Sequence, residues 1–159
     1  MTSFVDSHCH INFPELYENI DTIFSKMASN KVTHALCVSV TLDKFPEISK
    51  IANTYPHIFA SVGVHPDYEN IEEPNVDGLC DLAKEKKVVA IGETGLDYFR
   101  VTGDLTWQRE RFRTHIKAAI RSKLPLIIHT RNAAEDTLKI MQEEGAEEVG
   151  GVMHCFTES

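Results

Sequence analysis

The chain has 159 residues, a formal net charge of −8 and a hydrophobic fraction of 42%. This length suits a single domain with a sizeable core, and we assign residues 1–159 to one domain. The composition argues against a disordered chain, no stretch has the ~20 apolar residues of a membrane span, and the acidic balance argues against broad coating of nucleic acid through phosphate contacts.

Strand-like and helix-like segments alternate along the sequence. Short β-branched runs predict strands at about 4–9, 33–40, 58–64, 88–92, 125–129 and 150–154. Apolar residues at helical spacing predict helices over 16–28, 42–53, 76–84, 105–122 and 133–143. Repeated units of this kind favour a parallel sheet with right-handed crossovers.

Two α/β architectures accommodate such a sheet. A doubly wound sheet would carry a glycine-rich phosphate loop after its first strand, but residues 11–14 read INFP. A (β/α)8 TIM-type barrel places functional side chains at the carboxyl ends of several strands, as this sequence does. We therefore expect a barrel of this type that is truncated after its sixth strand, since a full barrel needs eight.

Ligand-type residues mark the predicted strand ends. His8 and His10 share one face of the first strand because side chains alternate along a strand. Glu93 follows the fourth strand, where we place it on the inward face with Val89 and Ile91. His129 and His154 end the fifth and sixth strands. A barrel would bring all of these ends to one rim.

Imidazole and carboxylate ligands without paired cysteines suit Zn²⁺ or Mn²⁺, and also admit Mg²⁺. Because the ligands are too many for one open site, we expect two divalent ions ~3.5–4 Å apart, bridged by Glu93. Such a pair activates a water for hydrolysis of phosphodiesters or, less specifically, of amides or esters.

Further candidates stand near these ligands. His65, after the third strand, is a candidate phosphate ligand or general acid, with a turn-stabilising role as the alternative; we count it with Glu93 as catalytic. Arg131 is a candidate phosphate contact through its forked guanidinium. Asp97 borders the site or structures its loop. We assign no role to His34, His57 or His115.

Several motifs of the chain resemble, in order and spacing, those of the TatD family: residues 5–10 (VDSHCH), 63–66 (GVHP), 91–98 (IGETGLDY), 107–112 (WQRERF), 128–131 (IHTR) and 153–156 (MHCF). The resemblance implies a metal-dependent deoxyribonuclease on a TIM barrel. It also implies that His8 and His10 hold one metal, that His129 and His154 hold the second, and that Glu93 bridges them. The family's later aspartate ligand has no counterpart before Ser159.

Three functional hypotheses follow. The first is a two-metal deoxyribonuclease with DNA or another phosphodiester as substrate, acting in DNA degradation or repair. The second is a truncated, non-catalytic fragment that retains partial metal binding and self-associates through open sheet edges. The third is an amide-hydrolysing barrel, in which a carboxylated lysine would bridge the metals; Glu93 already fills that place.

The cysteines and the N-terminus favour a cytoplasmic protein. Its four cysteines form no C-x-x-C pair, which fits reduced thiols. Charged and polar residues interrupt the early apolar run, and no basic segment precedes it, so we expect no signal peptide. We expect Cys9 and Cys155, on the opposite strand face from the ligands, to be buried in the packing.

Overall fold

Six parallel strands form one sheet in which each strand pairs with the next along the chain, curved into a nearly closed barrel. The computed structural model describes residues 2–157. The strands are Phe4–Cys9 (β1), Val32–Cys37 (β2), Ile58–Val62 (β3), Val88–Asp97 (β4), Leu126–Arg131 (β5) and Gly151–His154 (β6). The predicted strand order and parallel pairing are confirmed.

Helices connect consecutive strands and cover the outside of the sheet. They are Pro14–Tyr17 (α1), Ile20–Ser29 (α2), Phe45–Thr54 (α3), Val76–Ala83 (α4), Thr106–Ser122 (α5) and Ala134–Glu144 (α6), with a 3-10 turn at Ala146–Glu148. The prediction of a single helix over 16–28 is wrong, since α1 ends at Tyr17 and α2 begins at Ile20, after Asn19. None of these helices, within residues 2–157, is long and apolar enough to cross a membrane.

The core has two layers, one on each face of the sheet. Ile91 and Ile128 belong to the larger layer, which packs against helix residues such as Phe112. Ala90 and Ile127 belong to the smaller layer inside the curved sheet. The prediction that Ile91 points inward is therefore wrong.

Irregular pairing explains this error. The register of β4 shifts against β3 between Ala60 and Ser61, and against β5 between Ile91 and Thr94. Simple alternation fails across such shifts, because an extra residue moves every following side chain to the other face. Glu93 reaches the inside of the sheet through the second shift.

The first and last strands differ from the middle of the sheet. Within residues 2–157, β1 pairs only with β2 and β6 only with β5, so each leaves one edge unpaired, as expected. Val5 is 63% exposed and Val152 51% exposed, whereas Ile128 is 1% exposed. The apolar core is thus concentrated under β2 to β5.

Several basic residues of α5 are paired within the fold. Arg113 contacts Glu143 and Glu144 at 2.6 and 2.8 Å, and Lys117 lies 3.4 Å from Glu144. These contacts tie α5 to α6. The charges of Arg113 and Lys117 are therefore balanced by neighbouring carboxylates.

Candidate metal centre

The carboxyl ends of the strands bring two groups of ligand-type residues together around one carboxylate. His8, His10 and Glu93 form one group, the edge triad, and His65, Glu93 and His129 form the other, the central triad. In each triad the three ligand atoms lie within 4.8 Å of one another. Glu93 is common to both, and its residue is only 3% exposed.

The edge triad is built on β1 and the residue after it. His8 Nε2 lies 3.1 Å from Glu93 Oε2, and the His8 and His10 rings meet edge to face at 5.1 Å. His10 Nδ1 lies 3.0 Å from the carbonyl oxygen of Val38, which leaves Nε2 as its free ligand atom. Because a backbone carbonyl only accepts, Nδ1 is the protonated nitrogen of a neutral His10.

His8 is the member of the edge triad with the least support from the protein. Both of its ring nitrogens are buried, and although Nε2 lies 3.1 Å from Glu93 Oε2, neither nitrogen makes a hydrogen bond of good geometry within residues 2–157. A buried, unpaired polar atom costs about 1–3 kcal/mol, so such atoms ordinarily have a partner. A cation between His8 and Glu93 would supply that partner, and the donor set therefore fits a divalent metal.

The central triad has more support from the protein. His129 Nδ1 lies 3.4 Å from Glu93 Oε1, and His65 Nε2 lies 3.8 Å from the same oxygen. The far nitrogen of His129, Nε2, lies 2.9 Å from Asp97 Oδ2. A carboxylate behind a ligand histidine fixes the tautomer and aims the other nitrogen at the metal.

His65 has an equivalent support. Its Nδ1 lies 2.5 Å from Asp67 Oδ1, and Asp67 is in turn bound by Arg100 at 2.7 Å. The hydrogen bond to His65, assisted by Arg100, lowers the pKa of the Asp67 carboxyl to about 2. Nε2 of His65 is left facing Glu93 and the cavity.

Close backbone packing places Glu93 at the centre. A Cβ on Gly92 would lie 2.5 Å from the backbone oxygen of Ile127, and one on Gly95 would lie 2.0 Å from that of His129. Both glycines also have positive φ, at 143° and 134°. Only glycine satisfies both conditions, so the G-E-T-G sequence is what lets β4 lie against β5 here.

Charge in the site is distributed as a metal centre requires. Burial raises the pKa of the Glu93 carboxyl, but contacts from His129 and His8 outweigh it and hold that pKa well below its usual range. Burial lowers the pKa of His10. Glu93 is therefore an anion facing imidazoles, the protonation state of a metal ligand.

These residues surround an open cavity of about 580 Å³. Its lining includes His10, His65, Glu93, His129, His154, Arg100 and Arg131. The cavity thus joins the histidines to two arginines. Its size is within the range of sites that accept small molecules or part of a polymer.

His154 is placed less firmly than the other predicted ligands. Its ring stacks on that of His8 at 3.4 Å, and it lines the cavity, but it belongs to neither triad. Burial and the neighbouring His8 lower the pKa of His154. His65, in contrast, belongs to the central triad with Glu93 and His129.

Two sequence interpretations are corrected at the edges of the site. Cys155 is exposed, not buried, because the chain turns at that residue with a φ of 48°. Cys9 is partly buried as expected, and its thiol lies 3.2 Å from the carbonyl oxygen of Leu36. Burial raises the pKa of Cys9 to about 12.

Polar side chains on one face of α5 hydrogen-bond to the loops of the site, a role that the sequence analysis did not assign to them. Gln108 binds the backbone amide of Asp97 at 2.9 Å and the carbonyl of Pro66 at 2.9 Å. Buried His115 accepts the amide of Val64 at 3.0 Å. The sequence could have indicated this role, because polar residues lie on the side of the helix that faces the sheet and a buried polar side chain needs a hydrogen-bond partner.

Comparison with known proteins gives the same picture. Residues 5–159 match the model of a family described as TatD related DNase. An uncharacterized metal-dependent hydrolase, BU355 of Buchnera aphidicola, is 42% identical over 96% of this chain and 62% of its own length. The 3'-5' ssDNA/RNA exonuclease TatD of Escherichia fergusonii is 30% identical over 86% of this chain and 53% of its own length.

Solved structures agree on the fold. The crystal structure of YJJV, a TatD homologue from Escherichia coli, superposes with a TM-score of 0.88 at 26% identity, covering 98% of this chain and 61% of that one. The chain thus spans about three fifths of the length of BU355 and of this structure.

Proposed function

Because this chain belongs to the TatD-related DNase family, matching its model from residue 5 to residue 159, we propose that it is a metal-dependent hydrolase that cleaves phosphodiester bonds of DNA. Residues 1–159 form a single domain in this proposal, and the cytoplasm is its compartment. The observation that carries it is His8, whose buried nitrogens lack hydrogen-bond partners beside a carboxylate shared by two triads. That arrangement suits a pair of divalent cations.

Each metal has a proposed set of ligands. His8, His10 and Glu93 hold the first ion, and Glu93 and His129 hold the second, with His154 as its further ligand. Mg²⁺, Mn²⁺ and Zn²⁺ all accept imidazole or carboxylate ligands. Two such ions supply a water of lowered pKa and stabilise charge on the attacking and leaving oxygens.

The remaining residues of the cavity act on the substrate. His65 is fixed at Nδ1 by Asp67, so its Nε2 is available to donate to a phosphate oxygen or to the leaving oxygen. Arg131 lines the same cavity and neutralises the phosphate through its guanidinium. Asp97 holds the His129 ring in place and does not touch the substrate.

Phosphodiesters are favoured over amides by the charges of the cavity. Arg131 stands beside the metal ligands, and a forked guanidinium group binds phosphate oxygens in pairs. The name of the Escherichia fergusonii relative, an ssDNA/RNA exonuclease, supports the same choice.

The test is release of nucleotides from an end-labelled single-stranded oligonucleotide with Mn²⁺ or Mg²⁺. The matched variants are Glu93→Gln, in the site, and Glu69→Gln, on an exposed loop residue. We expect Glu93→Gln to lose about 10³-fold or more, because metal activation contributes several kcal/mol. Glu69→Gln should cleave like the unchanged chain.

Each other outcome selects a different hypothesis. A folded, metal-binding chain that cleaves no oligonucleotide would favour the non-catalytic alternative. Hydrolysis of an amide such as a p-nitroanilide, without cleavage of DNA, would favour the amide-hydrolysing barrel.

A further inference from the structure

An exposed aromatic ring packs against an arginine that lines the cavity of the metal centre. Phe99 is 58% exposed and follows directly after β4. The guanidinium of Arg131, at the end of β5, lies over this ring at 4.0 Å from its centroid. A single exposed phenylalanine is common on proteins, so its connections decide whether it has a role.

Phe99 is tied to a proposed metal ligand through one buried carboxylate. Its backbone amide donates to Asp97 Oδ1 at 3.0 Å, while Asp97 Oδ2 lies 2.9 Å from His129 Nε2. Asp97 itself is fully buried. The segment that bears the ring is therefore held in a fixed relation to the metal centre.

Arg131 is tied to the same frame. The carbonyl of Arg131 accepts the amide of Tyr98 at 2.9 Å, next to Phe99 in the chain. Arg131 and His129 point to the same face of β5, two residues and ~6.6 Å apart along the strand. The Phe99–Arg131 pair thus lies close to the proposed ligand His129 along β5.

The guanidinium of Arg131 has no carboxylate partner. Arg100, the other arginine of the cavity, binds Asp67 at 2.7 Å. The guanidinium of Arg131 instead lies over the ring of Phe99, and it forms no ion pair within residues 2–157. Its edge remains open to phosphate while its face rests on the ring.

We propose that Phe99 is a stacking subsite for the base of the nucleotide adjacent to the scissile phosphate, with Arg131 covering one ring face and binding the phosphate. This inference rests on the proposed nuclease function and specifies its substrate as single-stranded. A base must leave its duplex stack to lie on a protein ring, and every base offers a π-face. The subsite therefore selects unpaired ends and tolerates any sequence.

Stacking can be isolated with a modified substrate. Fluorescein-labelled oligonucleotides, either intact or with one abasic residue beside the cleaved bond, are bound to the Mn²⁺-loaded chain and followed by anisotropy and by cleavage. The protein variants are Phe99→Ala, Phe99→Leu and Phe99→Trp, with Leu138→Ala as an exposed apolar control on α6.

Phe99→Ala and Phe99→Leu should weaken binding of the intact oligonucleotide about 10- to 100-fold, the range measured for loss of one base stack. Phe99→Trp and Leu138→Ala should bind like the unchanged chain. On the abasic oligonucleotide, the unchanged chain and Phe99→Ala should be equal.

Two results would overturn the inference. One is equal affinity of the unchanged chain for intact and abasic oligonucleotides. The other is the same loss in Phe99→Ala on both substrates, which would mean that Phe99 acts only by supporting Arg131. In either case cleavage of DNA could persist, whereas a failure of the proposed function would appear as no cleavage by the unchanged chain.

Discussion

The central triad is held by carboxylates behind its histidines, whereas the edge triad lacks such carboxylates within residues 2–157. His129 and His65 each have an aspartate on the nitrogen that faces away from Glu93. Among residues 2–157, His8 finds no hydrogen-bond partner for either ring nitrogen, and the His10 ring finds only a backbone carbonyl. The protein therefore organises the central triad before metal binds and leaves the edge triad to be organised by the metal.

The same contrast extends to the strands beneath the two triads. β4 and β5 pair on both sides, and their outer faces pack under α5. β1 pairs on one side and carries exposed apolar residues such as Val5. Tight packing and support for the ligands are thus concentrated in the same part of the molecule, β4 and β5, while β1 has less of both.

Truncation of a core side chain should separate the two parts most clearly. Ile128→Ala on β5 should lower the free energy of unfolding by about 2–5 kcal/mol, because it opens a cavity in a close-packed layer. Val5→Ala on β1, at a residue 63% exposed, should change it by less than about 0.5 kcal/mol. Urea denaturation measures both. Equal losses would mean that the edge strand is as well packed as the centre.

Acid should destabilise the centre through His115. Burial of this fully enclosed imidazole lowers its pKa from 6.5 to about 4. Between these two pH values His115 is protonated in the unfolded chain but stays neutral in the folded chain. The free energy of unfolding therefore falls as the pH falls, by about 3 kcal/mol in total.

The measurement is urea unfolding of the unchanged chain and His115→Gln between pH 7 and pH 4. The variant should lose less stability over this interval, because its side chain does not titrate. Parallel curves for the two proteins would show that His115 does not resist protonation in the fold.

Loss of a histidine should cost more in the central triad than at the edge. His129→Ala leaves Oδ2 of the buried Asp97 carboxylate without its partner and should lower metal-free stability by about 2–3 kcal/mol. His154→Ala removes a ring whose recorded contact is a stack on His8, worth about 1 kcal/mol. Thermal unfolding in a chelator compares them, and the reverse order would contradict the comparison.

Removal of an orienting charge should affect only the central triad. Asp97→Asn should weaken Mn²⁺ binding there by about 10- to 100-fold, the usual effect of losing a carboxylate behind a ligand histidine. Asp6→Asn is the matched control, since Asp6 accepts the backbone amide of His8 at 3.1 Å and not its ring. Calorimetric titration should resolve one weakened site in Asp97→Asn and none in Asp6→Asn.

Periodicity was sufficient to predict the strand order and the candidate ligands. Residues 125–129 predict a strand because apolar residues gather there, and His129 closes that segment. His8 and His10 stand on either side of Cys9 at the end of segment 4–9. Parallel strands place their carboxyl ends on one side, so such residues meet without any further information. The chemistry of the ligands was equally accessible, because imidazole and carboxylate define the metals they accept.

Where the sequence interpretation of β4 was wrong, pairing between strands was the cause. Ile91 packs against helices and Glu93 faces inward because of a register shift between β4 and β5, which alternation along one strand cannot reveal. His115 was given no role, yet it binds the amide of Val64, 51 residues away in the chain.

The sequence by itself determined which residues carry ligand-type side chains and at which strand ends they lie, since both are local properties of the chain. Only the tertiary structure decided that His65 joins His129, that His154 stacks on His8, and that Asp97 links a ligand to the ring of Phe99. These contacts depend on the distances between side chains of neighbouring strands in the sheet. Register and close backbone approach at Gly92 and Gly95 set those distances, and neither is encoded in a local pattern.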